Sequence, residues 1–139
     1  MTSLLDKTPA FYEQAVTDAL NRLGWRARLR QPGENRCADV NAQMGGKRVL
    51  VQCPGFVTPI VISAVQELCE AKIREGVDCA AIVSNAEFTP DALQLAVSTG
   101  VVLLRHDNLG ELEAGAFAVG AKKARPRRGL SVVGLSAVN

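Results

Sequence analysis

Apolar residues recur at helical spacing near the start of the chain, from Phe11 to Leu23. This periodicity predicts an amphipathic helix with one buried face. Thr8 can cap its amino end, and Pro9 suits its first turn. Gly24 follows the last apolar residue, where a glycine commonly ends a helix. A short strand over residues 25–29 and a loop over residues 31–35 are predicted to follow.

Two runs of alternating character, residues 37–43 and 47–53, flank the glycine pair 45–46. A two-residue turn at these glycines would join the runs as a β-hairpin. This turn fixes the register of the pairing, so that Asp39 faces Gln52. Because directly paired residues point to the same side of a sheet, their Cβ atoms are expected to lie about 5 Å apart.

The same register sorts the hairpin into an apolar face and a mostly polar face. The predicted apolar face consists of Ala38, Val40, Ala42, Val49, Val51 and Cys53. The predicted polar face consists of Cys37, Asp39, Asn41, Gln43, Arg48, Leu50, Gln52 and Pro54. On this pattern alone, the preferred interpretation of Asp39 and Gln52 is a hydrogen-bonded polar pair facing solvent.

The rest of the chain alternates helices with short apolar runs typical of buried strands. The predicted elements are a helix over 59–75, a strand over 79–84, a helix over 89–100, a strand over 101–104 and a short helix beginning at 109–112. This order predicts an α/β fold with a mixed central sheet flanked by helices. We expect one domain over residues 1–115 and a flexible basic tail over 116–139, with a loose linker at 120–129.

Length and composition agree with one compact domain. The chain has 139 residues, of which 47% are hydrophobic and 22% charged, as in ordinary globular proteins. No apolar run is long enough to span a bilayer, and the amino terminus does not resemble a signal peptide. These features predict a cytoplasmic protein without a membrane partner.

The four cysteines do not form a metal-binding pattern. Cys37, Cys53, Cys69 and Cys79 contain no Cys-x-x-Cys pair, and His106, the one histidine, is distant in sequence. A zinc site is therefore not expected, and mostly buried free thiols are the preferred interpretation.

Charge is distributed unevenly. Up to Glu113 there are 11 basic and 14 acidic residues, a balance of −3, whereas the remaining residues include five basic and no acidic ones. The basic residues of the tail are Lys122, Lys123, Arg125, Arg127 and Arg128. Such a tail is consistent either with phosphate contact or with a merely solubilising role.

Several motifs occur in one order along the chain. They are Phe11-Tyr12-Glu13 with Val16, Leu20 and Gly24-Trp25; Cys37-Ala38-Asp39-Val40; Val51-Gln52-Cys53; Ala64-Val65-Gln66-Glu67-Leu68; Phe88-Thr89-Pro90-Asp91-Ala92; and Leu103-Leu104 with Asp107-Asn108-Leu109. This series, between Phe11 and Leu112, resembles the Mrr-like restriction endonuclease domains. The resemblance implies the restriction-endonuclease-like fold of the PD-(D/E)xK nucleases, with double-stranded DNA as partner.

The resemblance also implies roles for individual residues. Asp39 would be the metal-binding carboxylate, Gln52 the second metal ligand, and Glu13 an accessory acid on the first helix. Gln66 matches a helix position that is often polar in this group and would approach the site. The implied cofactor is Mg²⁺, which prefers oxygen ligands. From the pattern alone, Glu13 is equally consistent with a solvated residue at the edge of the helix.

Pro54 departs from the family pattern, because it stands where these nucleases carry a catalytic lysine. Proline has neither a positive charge nor a backbone donor. Lys47 lies at the hairpin turn, about 16 Å along the strand from Gln52, which is too far for a substitute. Lys72 follows Leu68 by four residues on the inner side of its predicted helix, where it could reach the site. The preferred interpretation is that it extends outward with its aliphatic stem packed.

Taken together, the sequence predicts a DNA-binding, Mrr-like protein with impaired or lost hydrolysis of DNA phosphodiesters. The alternative is a non-enzymatic interaction or scaffold module that reuses the fold. A homodimer or a partner subunit could also complete the site. The candidates for phosphate contact are Arg22, Arg26, Arg28, Arg30, Arg36, Arg48, Lys122, Lys123, Arg125, Arg127 and Arg128.

Overall fold

A computed structural model describes residues 9–31, 38–54, 59–105 and 107–124. Its elements, in chain order, are α1 (Pro9–Arg22), β1 (Arg26–Leu29), β2 (Val40–Met44), β3 (Lys47–Gln52), α2 (Ile62–Glu75), β4 (Cys79–Val83), α3 (Pro90–Thr99), β5 (Val102–Leu104) and α4 (Glu111–Ala124). The predicted cap at Thr8 and the predicted roles of Arg36, Arg125, Arg127 and Arg128 lie outside the described residues.

The five strands form one sheet in the order β1-β2-β3-β4-β5. β1, β2 and β3 pair in antiparallel fashion, whereas β3, β4 and β5 are parallel. The parallel strands are joined through α2 and α3, as parallel connections generally require. The predicted α/β fold with a mixed central sheet is therefore confirmed.

The hairpin of β2 and β3 has the predicted register. Val40 pairs with Val51, and Met44 pairs with Lys47. Gly45 and Gly46 have φ angles of 54° and 81°. Positive φ at both central residues is the requirement of a type I′ turn, whose twist matches that of the two strands.

Helices cover both faces of the sheet and create two apolar cores. α1 and α4 cover one face, and their core includes Leu20, Val40, Val51 and Leu112. α2 and α3 cover the other face, with a core that includes Leu50 and Leu68 among the buried residues. We call these the α1 face and the α2 face of the sheet.

The prediction of one mostly polar hairpin face was wrong at Leu50. This side chain is only 1% exposed, because α2 packs over it. Ala38 was also placed on the wrong side, since it belongs to the core of the α2 face. The chain bends at Asp39 before β2 begins at Val40, so strand alternation does not extend back to Ala38.

α4 is longer than the predicted short helix. It continues to Ala124, so residues 116–124 of the predicted tail are helical, as is the start of the predicted linker at 120–129. The segment is rich in alanine, which has the highest helix propensity. Ala116 is fully buried against the sheet, so packing also extends the folded region past residue 115.

A glycine and a threonine set two of the helix ends. Gly76 ends α2 in the left-handed conformation, with φ of 68°. Thr89 caps α3, and its hydroxyl accepts a hydrogen bond of 3.3 Å from the backbone amide of Ala92. Among the described residues, no helix has the length and apolar character needed to cross a membrane.

Candidate active site

Asp39 is held at the junction of three strands. Its backbone amide donates a hydrogen bond of 2.8 Å to the carbonyl of Val51, and its own carbonyl accepts one of 2.9 Å from Arg30. Its carboxylate oxygen Oδ2 accepts a hydrogen bond of 2.7 Å from the backbone amide of Cys53. The backbone of β1 and β3 therefore fixes the position of this carboxylate.

Glu13 on α1 forms a carboxyl pair with Asp39. Burial raises the pKa of Glu13 to about 7, assisted by the negative charge of Asp39 and by a hydrogen bond with its side chain. α1 is anchored beside the pair, because the buried hydroxyl of Tyr12 donates a 3.3 Å hydrogen bond to the carbonyl of Val83 at the end of β4. Near neutral pH, the two carboxyl groups can therefore share one proton.

The thiol of Cys53 adjoins this pair and was not recognised as part of the site from the sequence. Burial raises its pKa well above the usual value, and the charges of Asp39 and Glu13 add to the effect. A thiol in this state stays protonated and is a poor nucleophile. The position of Cys53 immediately after Gln52 was the available signal for its proximity.

The observed pairing of β2 with β3 ends at Val40–Val51, so the predicted pairing of Asp39 with Gln52 is not part of it. Gln52 ends β3 and pairs with Ile82 of β4. Its side-chain oxygen Oε1 is buried and has no hydrogen-bond partner among the described residues. An unsatisfied buried acceptor is energetically costly unless a donor or a cation reaches it. The oxygen of Gln52 is therefore chemically suited to be a cation ligand.

Gln66 was predicted to approach the site, but it lies on the exposed side of α2. Its neighbour Val65 and the later Leu68 are fully buried and face the sheet. Because the inner stripe of α2 is occupied by these apolar residues, Gln66 points away from the sheet. This placement contradicts its predicted part in the site.

Lys72 lies near the wrong end of the sheet for catalysis. Burial raises the pKa of Cys79 to about 11, and the neighbouring positive charge of Lys72 opposes this rise. Cys79 pairs with Val49, three residues before Gln52 and therefore about 10 Å from it along β3. Lys72 is in the last turn of α2, which runs back from the Gln52 end of the sheet. The hypothesis that Lys72 replaces the missing lysine is contradicted by this direction.

Arg30 is not a surface cation available to a phosphate. Its side chain is 5% exposed and forms an ion pair of 2.8 Å with Glu75 of α2. It also donates a hydrogen bond of 2.7 Å to the side-chain oxygen of Asn41. Arg30 therefore ties β1, β2 and α2 together, which corrects its predicted role in phosphate contact.

The other arginine candidates within the described part of the chain remain on the surface. Arg22, Arg26, Arg28 and Arg48 are all exposed. Lys122 and Lys123 belong to the last turn of α4. These positions leave their predicted contact with phosphate open.

Comparison with known proteins identifies the family of this fold and site. The family model described as a restriction endonuclease, the Mrr catalytic domain, matches residues 4–113. No curated protein sequence matches the chain.

Two solved structures are similar in fold. One is AF1548, a protein of unknown function, with a TM-score of 0.63 and 18% identity over 81% of this chain and 67% of that one. The other is the MspJI restriction endonuclease in complex with a 27-mer oligonucleotide, with a TM-score of 0.48 and 17% identity over 94% of this chain. This chain spans 31% of the MspJI chain. Because the family model covers most of its length, the chain belongs to the restriction endonuclease family defined by the Mrr catalytic domain.

Proposed function

We propose that this protein binds double-stranded DNA and that its hydrolysis of DNA phosphodiesters is impaired or lost. The observation that carries the proposal is the hydrogen-bonded pair of Glu13 and Asp39 beside a strand in which Pro54 stands at the lysine position. Two carboxyl groups suited to a nuclease site are thus present, while the position implied for its lysine holds an uncharged proline. We further propose a cytoplasmic location.

The residues at this site fit a divalent cation with oxygen ligands. The carboxylate of Asp39 and the unsatisfied Oε1 of Gln52 would hold Mg²⁺, with Glu13 as the accessory acid. When bound, Mg²⁺ would activate water and neutralise charge on the phosphate. The raised pKa of Glu13 means that this carboxyl must first lose a proton, so metal binding is expected to be weak near neutral pH.

Pro54 explains the proposed loss of activity. In these nucleases, a lysine at this position would position the attacking water and stabilise the negative charge that develops on the phosphate. Proline offers neither a charge nor a proton. Lys47 and Lys72 do not replace it, since Lys47 is at the hairpin turn and Lys72 adjoins Cys79.

Calorimetric titration with Mg²⁺ and Mn²⁺ tests the metal site. Wild-type protein is expected to bind the metal, and Asp39→Ala is expected to abolish the binding. Asp18→Ala is the matched control, because Asp18 is an exposed acid of α1 whose carboxylate accepts a hydrogen bond from Gln14. Equal binding by wild type and Asp39→Ala would reject Asp39 as the metal ligand.

A scaffold function is the alternative, because a fold can be reused without its catalytic activity. DNA binding separates the two functions. A DNA-binding protein releases counterions from the duplex, so its affinity falls steeply with salt. A scaffold would show no such affinity. A homodimer would appear as a doubled molecular mass of the free protein, and a partner subunit would raise the mass when that partner is added.

A further inference from the structure

A groove of about 610 Å³ crosses β1, β2 and β3 away from the Glu13–Asp39 pair. Its polar lining includes Asn21, Arg26, Arg28, Asn41, Gln43 and Arg48. The groove is therefore rich in hydrogen-bond donors. We call it the arginine groove.

Strand register explains why these residues come together. Arg26 pairs with Gln43, which in turn pairs with Arg48. Arg28 pairs with Asn41 in the next row on the same side of the sheet. Because side chains two residues apart share a face, the arginines of β1 and β3 converge on one surface.

This surface is the open part of the α2 face. Asn41 pairs with Leu50, which is buried under α2. Towards β1, the same face carries Arg26 and Arg28, both of which are exposed. Since α2 covers β3 at Leu50 but leaves β1 uncovered, the sheet presents a recessed polar surface beside the helix.

The charge of the arginine groove is positive. Among the residues that the structure describes, Glu75 is the only carboxylate in its lining, and the ion pair with Arg30 compensates its charge. Within the described part of the chain, Arg26 and Arg48 make no ion pair. The side chain of Arg28 donates a 3.2 Å hydrogen bond to the neighbouring carbonyl of Leu29.

The backbone beneath the arginines is rigidly held. The amide of Arg48 donates a hydrogen bond of 2.8 Å to the carboxylate of Asp78, and its carbonyl accepts one of 2.9 Å from the amide of Asp78. The side-chain amide of Asn21 both donates to and accepts from the backbone of Ala27 at 3.0 Å. These contacts fix β1 and β3 relative to α1 and the start of β4.

We propose that the arginine groove binds the phosphodiester backbone of DNA; this inference rests on the proposed function and gives its DNA a contact surface. Guanidinium groups bind phosphate oxygens through paired donors, and the amides of Asn41 and Gln43 add neutral donors. The described lining contains no aromatic side chain, so it favours backbone contact over base stacking. Three strands and two rows of side chains give it room for successive phosphates.

The groove lies close to the acidic pair along the strands, but on the other side of the sheet. The row of Arg28 and Asn41 lies two residues from the row of Arg30 and Asp39, or about 7 Å along the strands. The carboxyl of Asp39, however, contacts Glu13 of α1 and the backbone of Cys53, so the acidic pair lies on the α1 side of the sheet and the groove on the α2 side.

Fluorescence anisotropy with a labelled DNA duplex tests this inference. Arg26→Gln, Arg28→Gln and Arg48→Gln are each expected to weaken binding by roughly tenfold. Each is also expected to make the negative slope of log affinity against log salt shallower by about 0.9. Arg105→Gln is the control, because Arg105 is an exposed arginine that follows β5 at the opposite edge of the sheet.

The outcomes separate this inference from the proposed function. If wild-type protein binds DNA and the three groove variants bind it equally well, the groove is not the contact surface, while DNA binding stands. If wild-type protein binds no DNA, both proposals fail. Tighter binding of duplex RNA through the same arginines would reject DNA as the occupant. Thermal unfolding and metal titration of each variant show whether the fold and the acidic pair are intact.

Discussion

At the scale of single residues, the pairing of two carboxyl groups is the most informative feature of the site. Glu13 was placed here by the family resemblance, whereas its helical pattern was equally consistent with a solvated residue. The structure brings it against Asp39 because Tyr12, the preceding residue, anchors α1 to the carbonyl of Val83. This contact between distant parts of the chain could not be derived from helical periodicity.

The shared proton predicts how Glu13 titrates in an Asp39→Asn variant. Removing the charge of Asp39 is expected to lower the pKa of Glu13 from about 7, although burial, the largest cause of the rise, will keep it above its ordinary value of 4.5. NMR titration of the Glu13 side-chain carboxyl carbon measures this change. An unchanged pKa in the variant would show that the two groups are not coupled.

The same pKa predicts a pH-dependent contribution to stability. In the folded protein Glu13 holds its proton up to about pH 7, whereas in the unfolded chain it loses it near its ordinary pKa of 4.5. Its contribution is therefore present below pH 4.5 and is lost as the pH rises to 7. With allowance for solvent screening of this partly exposed group, the free energy of unfolding falls by about 1 kcal/mol.

Glu13→Gln tests this contribution, because glutamine does not titrate. Urea unfolding at several pH values is expected to show that the variant lacks the decline seen in wild type between pH 4.5 and 7. Gln14→Ala is a control on the same helix that leaves the carboxyl pair in place. Parallel pH profiles for wild type and Glu13→Gln would contradict the raised pKa.

Pro54→Lys tests the proposed reason for impaired hydrolysis. The variant introduces a cation at the position where the family resemblance implies a catalytic lysine. Mg²⁺-dependent cleavage of plasmid DNA is therefore expected to increase by at least about tenfold, a modest gain for acid–base catalysis. The double variant Pro54→Lys, Asp39→Ala is expected to remain inactive. Cleavage that persists in this double variant would indicate a different site or a contaminating nuclease.

At the scale of elements, local signals predicted the hairpin well and the longest contacts poorly. Gly45 and Gly46 specify a turn by their backbone freedom, and the turn alone fixes the register of β2 and β3. The ion pair of Arg30 with Glu75, by contrast, joins positions 45 residues apart in sequence. No periodicity signals such a contact, so Arg30 was mistaken for a surface cation.

The same limit explains the error at Lys72. Its place on the inner stripe of α2 was recognised, but the direction of α2 relative to β3 was not. Because β3 and β4 are parallel, α2 must return from the Gln52 end to the beginning of β4. Lys72 therefore reaches Cys79 instead of Asp39. Helical position alone does not determine the end of the sheet that a residue approaches.

Gly46→Ala is predicted to destabilise the hairpin by about 1 kcal/mol. Its φ of 81° is unfavourable for alanine, although nothing within 4 Å would contact an added Cβ. The cost therefore comes from the backbone conformation. Gly110→Ala is the matched control, because this glycine also has open space around an added Cβ but no positive φ. Equal thermal stability of the two variants would contradict the assigned turn conformation.

At the scale of the whole molecule, an ordered series of weak motifs predicted the family better than any single residue did. Each motif is short, but together they follow the element order of the observed sheet, and the family match spans residues 4–113. The groove was missed because Arg26, Gln43 and Arg48 come from three strands. Their proximity depends on the sheet register and on the part of the α2 face that α2 leaves uncovered.

The most direct test of the whole account is the affinity of wild-type protein for a DNA duplex as a function of salt. We expect binding at low ionic strength and a linear fall of log affinity with log salt between about 50 and 200 mM, as phosphate contacts release counterions. A steep negative slope would support a DNA-binding member of the restriction endonuclease family. Absence of binding at about 50 mM salt, or an affinity that does not change with salt, would contradict the account and favour the scaffold function.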